Sequence, residues 1–158
     1  MAGITIRITD TNKIPQLIKE IRELRRYAVE VGVFGDDDSF YVMIASVHEF
    51  GVTIQQERGS IVIPERSFMR TTFDEKKGEW FEFVKRQLNN VMDFKIDAQT
   101  LYARLGAKMV GDIQEKITDL DAPPNAPSTI SKKGSSNPLI DSGGLRRSIT
   151  FRVVPNNA

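Results

Sequence analysis

The sequence predicts an α/β fold of the segregated, α+β kind: a small, mostly antiparallel sheet packed against two or three long helices, with a protruding hairpin and a long proline-rich loop. Three observations carry that expectation. Apolar residues recur at every second position over 4–9 and 29–33, as half-buried strands require, and β-prone runs follow at 52–55, 60–63 and 149–154. Two long stretches, 66–91 and 97–120, instead repeat apolar residues at three- and four-residue steps, as a helix with one buried face does. Between residues 121 and 138 the composition turns to Pro, Ser, Asn, Gly and Lys, and four of the seven prolines sit there. Such a stretch cannot build a core of its own and reads as a mobile loop or arm. At 158 residues, positions 1–158 form one domain long enough to bury a core.

In chain order, Ile4, Ile6 and Ile8 alternate with Thr5, Arg7 and Thr9, giving a first strand. Asp10-Thr11-Asn12 offers capping side chains to a helix over Lys13–Ala28, whose apolar face is Ile14, Leu17, Ile18, Ile21, Leu24 and Ala28. Its charges, Lys19, Glu20, Arg22, Glu23, Arg25 and Arg26, form a solvated face with local ion pairs. Val29, Val31 and Val33 alternate again and lead into Phe34-Gly35. Asp36-Asp37-Asp38-Ser39 is a turn and a helix start, where acidic groups suit the positive helix terminus. The helix that follows, Phe40–Phe50, is largely apolar and is expected to be substantially buried, with Gly51 closing it in a left-handed conformation. Val52–Gln55 and Ser60–Ile63 are β-prone runs separated by Gln56-Glu57-Arg58-Gly59, a hairpin with Gly59 at or near its turn. Pro64, without an N–H for a ladder, ends the second strand. A helix over Arg66–Val91 carries the stripe Phe68, Phe73, Trp80, Phe81, Val84, Leu88 and Val91, with a bend or break expected at Gly78. Another, over Asp97–Leu120, repeats Leu101, Leu105, Met109, Ile113 and Ile117. After the proline-rich arm, Asp141 or Ser142 is placed to cap a short helical turn beside Gly143-Gly144, and Ile149–Val154 is a closing strand ended by Pro155.

The chemistry that is missing narrows the function. With 22 basic and 21 acidic residues, no global field steers the chain onto nucleic acid or anionic membrane. There is no cysteine, so disulfides, thiolate catalysis and cysteine zinc sites are all excluded. The N-terminus has no signal-peptide pattern, and no apolar run reaches the ~18 residues that span a bilayer. His48 is the only histidine and is not followed by a second at the spacing a zinc protease needs, so a helix-end structural role outweighs catalysis. The three aspartates at 36–38 lack the spaced ligands of a calcium loop. No phosphate loop, dinucleotide turn or nucleophile elbow occurs. These features point away from an enzyme and imply no cofactor and no metal. Lys132-Lys133 and Arg146-Arg147 are the small basic clusters on which a DNA-associated reading would rest, with no recognised reader motif around them.

Three stretches occur in a fixed order: His48-Glu49-Phe50-Gly51, then Ile63-Pro64-Glu65-Arg66-Ser67-Phe68-Met69-Arg70, then Pro138-Leu139-Ile140-Asp141-Ser142-Gly143-Gly144-Leu145-Arg146-Arg147-Ser148-Ile149. Together they resemble phage tail-completion proteins, the head–tail joining (neck) proteins of long-tailed phages and prophages. Those proteins show a His/Tyr-Glu-Phe-Gly turn, an Ile-Pro-x-Arg-Pro-Phe-Leu helix start and a Leu-x-Asp-Thr-Gly-x-Leu-x-x-Ser-Ile strand start. Here Ser67 stands for the usual proline, Met69 for leucine and Ser142 for threonine. The resemblance implies a non-enzymatic virion subunit made in the host bacterial cytoplasm and built into the tail neck. It would form a homo-oligomeric ring, a hexamer or dodecamer, between the tail tube protein and the head-closure (connector) protein, with contact to DNA in the channel and none to membrane. A tail terminator is the alternative within virion morphogenesis. On this resemblance His48, Glu49, Phe50, Gly51, Pro64, Arg66, Phe68, Asp141, Gly143, Leu145 and Ser148 are expected to define the fold as turns and caps. Phe68 is expected to anchor the core and Arg66 to hold a carboxylate or carbonyl near the hairpin. Gln55, Gln56, Glu57 and Arg58 of the hairpin and Pro124, Pro127, Lys132 and Lys133 of the arm are the expected assembly contacts.

Overall fold

A computed structural model describes residues 12–57 and 59–156; the strand expected at Ile4–Ile8, and Arg58, lie outside the described residues. The elements run α1 (Ile14–Leu24), β1 (Tyr27–Gly32), α2 (Ser39–Phe50), β2 (Val52–Gln56), β3 (Gly59–Ile63), α3 (Phe68–Met92), α4 (Ala98–Asp119), α5 (Pro127–Lys133), α6 (Gly144–Ser148) and β4 (Thr150–Pro155). The architecture is α+β, with two separate antiparallel two-stranded sheets among the described residues. In one, β1 pairs with β4 so that Val29 faces Val153 and Val31 faces Phe151. In the other, β2 pairs with β3, with Val52 opposite Ile63 and Ile54 opposite Ile61.

Helix α4 is the central rod. Its Asp97 cap accepts the Thr100 amide at 2.7 Å, and it packs along α3 on one side and across β1 and β4 on the other. Gly106 makes the sheet contact feasible, because a Cβ there would overlap the Phe151 ring. The core joins Ala45 of α2, Phe68 of α3, Ile113 and Ile117 of α4, and Leu139, Leu145 and Ile149 of the C-terminal stretch. Further along, Trp80 is buried and its indole N–H donates to Asp112 at 2.5 Å, tying α3 to α4 by a polar link.

Several expectations need correction. Helix α1 stops at Leu24, four residues before Ala28, because Tyr27 and Ala28 pair with Pro155 and Val154 in the β1–β4 ladder. The Tyr102 hydroxyl donates to the carbonyl of Leu24, the last residue of α1, at 2.7 Å. Helix α3 continues unbroken through Gly78, whose surroundings are open. Helix α2 is not substantially buried: only Ala45 and Glu49 are, and Phe40, Met43 and Phe50 face outward. Neither Asp141 nor Ser142 caps α6; Gly143, at φ 77°, occupies that position without a side-chain bond. The 121–138 stretch contains α5 rather than being structureless throughout. At the start of α2, Asp38 caps as expected, accepting the Phe40 and Tyr41 amides at 3.0 and 3.3 Å. Asp36 and Asp37 both take Arg152 of β4, at 2.8 and 2.9 Å.

Candidate functional site

The first two motif stretches meet at a joint between the end of α2 and the start of α3, and the third reaches them through the core, where Leu139, Leu145 and Ile149 join Phe68. Residues 64–67 leave β3 without regular structure, so the first amides of α3 lack helical partners. Ser67, at the cap position, gives no side-chain cap bond; its hydroxyl faces Thr71 Oγ1 at 3.0 Å. The cap comes from 20 residues upstream. Glu49, only 4% exposed, accepts the Met69 amide at 2.9 Å and the Arg70 amide at 3.0 Å. A carboxylate here satisfies two orphan donors and lies against the positive end of the helix dipole. Arg70 completes the arrangement: its Nε donates to Glu49 Oε1 at 3.0 Å, and Nη2 donates to the Glu49 carbonyl at 2.6 Å and to Glu65 at 2.8 Å. Its guanidinium also sits 4.8 Å from the centroid of the otherwise exposed Phe50 ring.

Arg66 ties this joint to the arm. Its amide donates to the His48 carbonyl at 2.6 Å. Its buried guanidinium donates from Nε to the Pro123 carbonyl at 2.8 Å, and from Nη2 to the Pro124 carbonyl at 3.1 Å and Asn125 Oδ1 at 3.4 Å. Arg66 thus holds carbonyls, and they come from the proline-rich arm. Nη1 faces His48 Nδ1 at 3.3 Å. A guanidinium has no lone pair to offer, so Nδ1 must be the acceptor, which requires the neutral ring. Burial, then the positive charges of Arg66 and Lys133, push the His48 pKa down to about 4.

Asn137, at the far end of the arm, was not singled out by the sequence. Its Oδ1 accepts the Leu139 and Ile140 amides, both at 2.8 Å, while its Nδ2 donates to the Thr118 carbonyl at 2.8 Å. The one available signal was the Asn-Pro pair, which favours turn initiation. Leu145 is buried behind it, and Ser148 donates from Oγ to the Leu145 carbonyl at 2.8 Å. Gly144 lies against the Tyr41 hydroxyl with no room for a Cβ.

The remaining singled-out residues are scattered. Gln55, Gln56 and Glu57 are exposed on the hairpin. Pro124, Pro127 and Lys132 are exposed on the arm, whereas Lys133 is half-buried and donates to the Asn137 and Pro138 carbonyls at 2.9 and 3.3 Å. Asp141 is exposed at the mouth of a cleft of about 330 Å³ that also involves Tyr41, His48 and Lys133. A second, more apolar cleft of about 350 Å³ lies between β1, α2 and α3, lined by Val31, Val33, Phe34, Val42, Phe50 and Met69. Among the described residues no group of three or more His, Cys, Asp or Glu is placed to hold a metal ion, and no helix is long and apolar enough to cross a membrane. No family model, curated protein or solved structure matches the chain.

Proposed function

We propose that the chain is a structural subunit of a phage neck, a tail-completion protein that forms a ring between the tail tube and the head-closure complex. The observation that carries this reading is the interlocking of the three motif stretches that resemble the neck family. Glu49 of the first caps the helix begun by the second, and Leu139, Leu145 and Ile149 of the third pack against Phe68 of the second. Residues that recur for fold reasons ought to lie together and be satisfied, as Glu49, Arg66, Phe68 and Leu145 do, while Phe50 and Asp141 remain exposed. The surface is compatible with this reading: large apolar side chains, Phe40, Phe50, Val62 and Phe81 among them, are exposed on unlike elements. A head-to-tail ring needs two different surfaces of this kind. The DNA-associated alternative gains nothing comparable: Lys133, Arg146 and Arg147 each donate to carbonyls of the chain itself.

The test is negative-stain microscopy of particles from a phage carrying an amber stop in this gene. Filled heads beside separate full-length tails are expected. Normal virions, or a block before DNA enters the heads, would remove the neck reading.

A further inference from the structure

The cleft beside the arm holds two cations that no carboxylate of the described residues pairs. Arg66 is 4% exposed, yet all its side-chain partners are neutral: the Pro123 and Pro124 carbonyls, Asn125 Oδ1 and His48 Nδ1. Lys133, half-buried at the end of α5, likewise donates only to the Asn137 and Pro138 carbonyls. Buried charges are ordinarily paired, as Glu49 is with Arg70. Arg66 has spent its hydrogen bonds but not its charge. Burial lowers the Lys133 pKa; Asp141 opposes that shift and Arg66 adds to it.

The same cleft retains free donors. Lys133 carries three N–H groups and gives two to carbonyls. His48 accepts from Arg66 at Nδ1, so the neutral ring carries its proton on Nε2. Nε2 has no partner among the described residues, and no buried side-chain nitrogen there lacks one, so this N–H reaches solvent. His48 and Lys133 both line the cleft of about 330 Å³, and Phe40, Ile44 and Leu139 supply apolar wall beside them. A few polar groups in an otherwise apolar concavity of ~300 Å³ or more is the usual make-up of a small-ligand site.

We infer that this cleft binds a carboxylate carried on a short apolar stem, held by the Lys133 ammonium and the His48 Nε2–H, with the stem against Phe40, Ile44 and Leu139. The carboxylate supplies the negative charge that Arg66 and Lys133 lack. Asp141, also on the lining, works against any anion and so favours one negative charge over the two of a phosphate. The inference goes beyond the neck reading and does not depend on it. A free small acid and the terminal carboxylate of another chain share this chemistry.

The sole histidine is the reporter. In the full-length chain at pH 7 and constant ionic strength, the His48 ring signals are followed by NMR while isovalerate is added. A saturable shift is expected, with a dissociation constant on the order of 1 mM, and none with isovaleramide, which has the same shape without the charge. No saturable shift, or an equal shift with the amide, overturns the inference. Lys133→Gln should weaken binding at least ~10-fold, whereas Lys132→Gln, exposed on the same helix, should leave it unchanged; equal effects overturn it. Because Lys133 also holds two carbonyls, the exposed Asp141→Asn provides a variant that disturbs no contact of the arm. It should tighten binding about 3-fold, and unchanged or weaker binding counts against the site. A short peptide ending in leucine with a free carboxylate distinguishes the sources. Displacement of isovalerate at lower concentration assigns the carboxylate to another chain, and at higher concentration to a free acid.

Discussion

The α2–α3 joint and the hairpin meet at Gly51, yet they are held by different means. At the joint, Glu49, Arg66 and Thr72 are buried polar side chains, and no buried side-chain polar atom among the described residues lacks a partner. Each contact there is directional and local, so the joint consumes its own bonding capacity and offers little to another molecule. The hairpin does the reverse. Each residue of β2 faces a partner on β3, but both strands are sheet edges and their apolar side chains have little to lie against. Stability is therefore concentrated where polar groups are saturated, and association is expected where apolar groups are not.

The sharpest way to break this contrast is Glu49→Ala. It removes the acceptor for two α3 amides and for Arg70 Nε, and should cost about 3 kcal/mol, lowering the thermal midpoint by roughly 6–12 °C. Glu49→Gln keeps one acceptor oxygen and should cost less; equal losses would show that both carboxylate oxygens, or the charge, are required, and no loss in either variant would show that the cap contributes nothing. Next comes Gly106→Ala, which forces a methyl into the Phe151 ring and should cost about 2 kcal/mol by urea unfolding. In a Phe151→Ala background the same change should cost much less, because the obstructing ring is gone. The His48–Arg66 contact sharpens the comparison through pH. A ring that titrates at about 4 when folded and near 6.5 when unfolded binds fewer protons in the folded state. Stability should thus fall as pH drops from about 6.5 toward 4 and gain no further loss from this group below that. The slope is at most ~1.4 kcal/mol per pH unit, less for a partly exposed ring. His48→Asn should lose that part of the slope between pH 7 and 5; identical slopes in both proteins would refute it. The smallest effect belongs to the hairpin: Ile54→Ser should change monomer stability by no more than about 0.5 kcal/mol, and a larger loss would mean the strand is packed after all.

What the sequence made legible was whatever depends on neighbours in the chain. The four-residue recurrence from Leu101 to Ile117 marked α4, the β-prone runs either side of Gln56–Gly59 marked the hairpin, and Asp38 was recognisable as a cap beside its own helix. The residues that failed to declare themselves have partners far along the chain. Helix α1 ends early because Tyr27 pairs with Pro155, and no local pattern carries that. Glu49 looks like any glutamate near a helix end, and its role as the cap of α3 appears only once α2 and α3 are brought together across the hairpin. Arg66 was rightly expected to hold a carbonyl, but its carbonyls belong to Pro123 and Pro124, beyond two intervening helices. The outward side chains of α2 misled for another reason. An apolar helix surface reads the same in sequence whether its cover is the same chain or another one.

Gly51 finally acts as a protractor. Its φ of 67° turns the chain out of α2, and a Cβ there would lie 2.9 Å from the Glu65 amide nitrogen and 3.0 Å from the Ile63 carbonyl oxygen. Any side chain must push the base of the hairpin aside and change the direction in which it leaves the body. A methyl group on one backbone carbon would thus re-aim everything the hairpin carries.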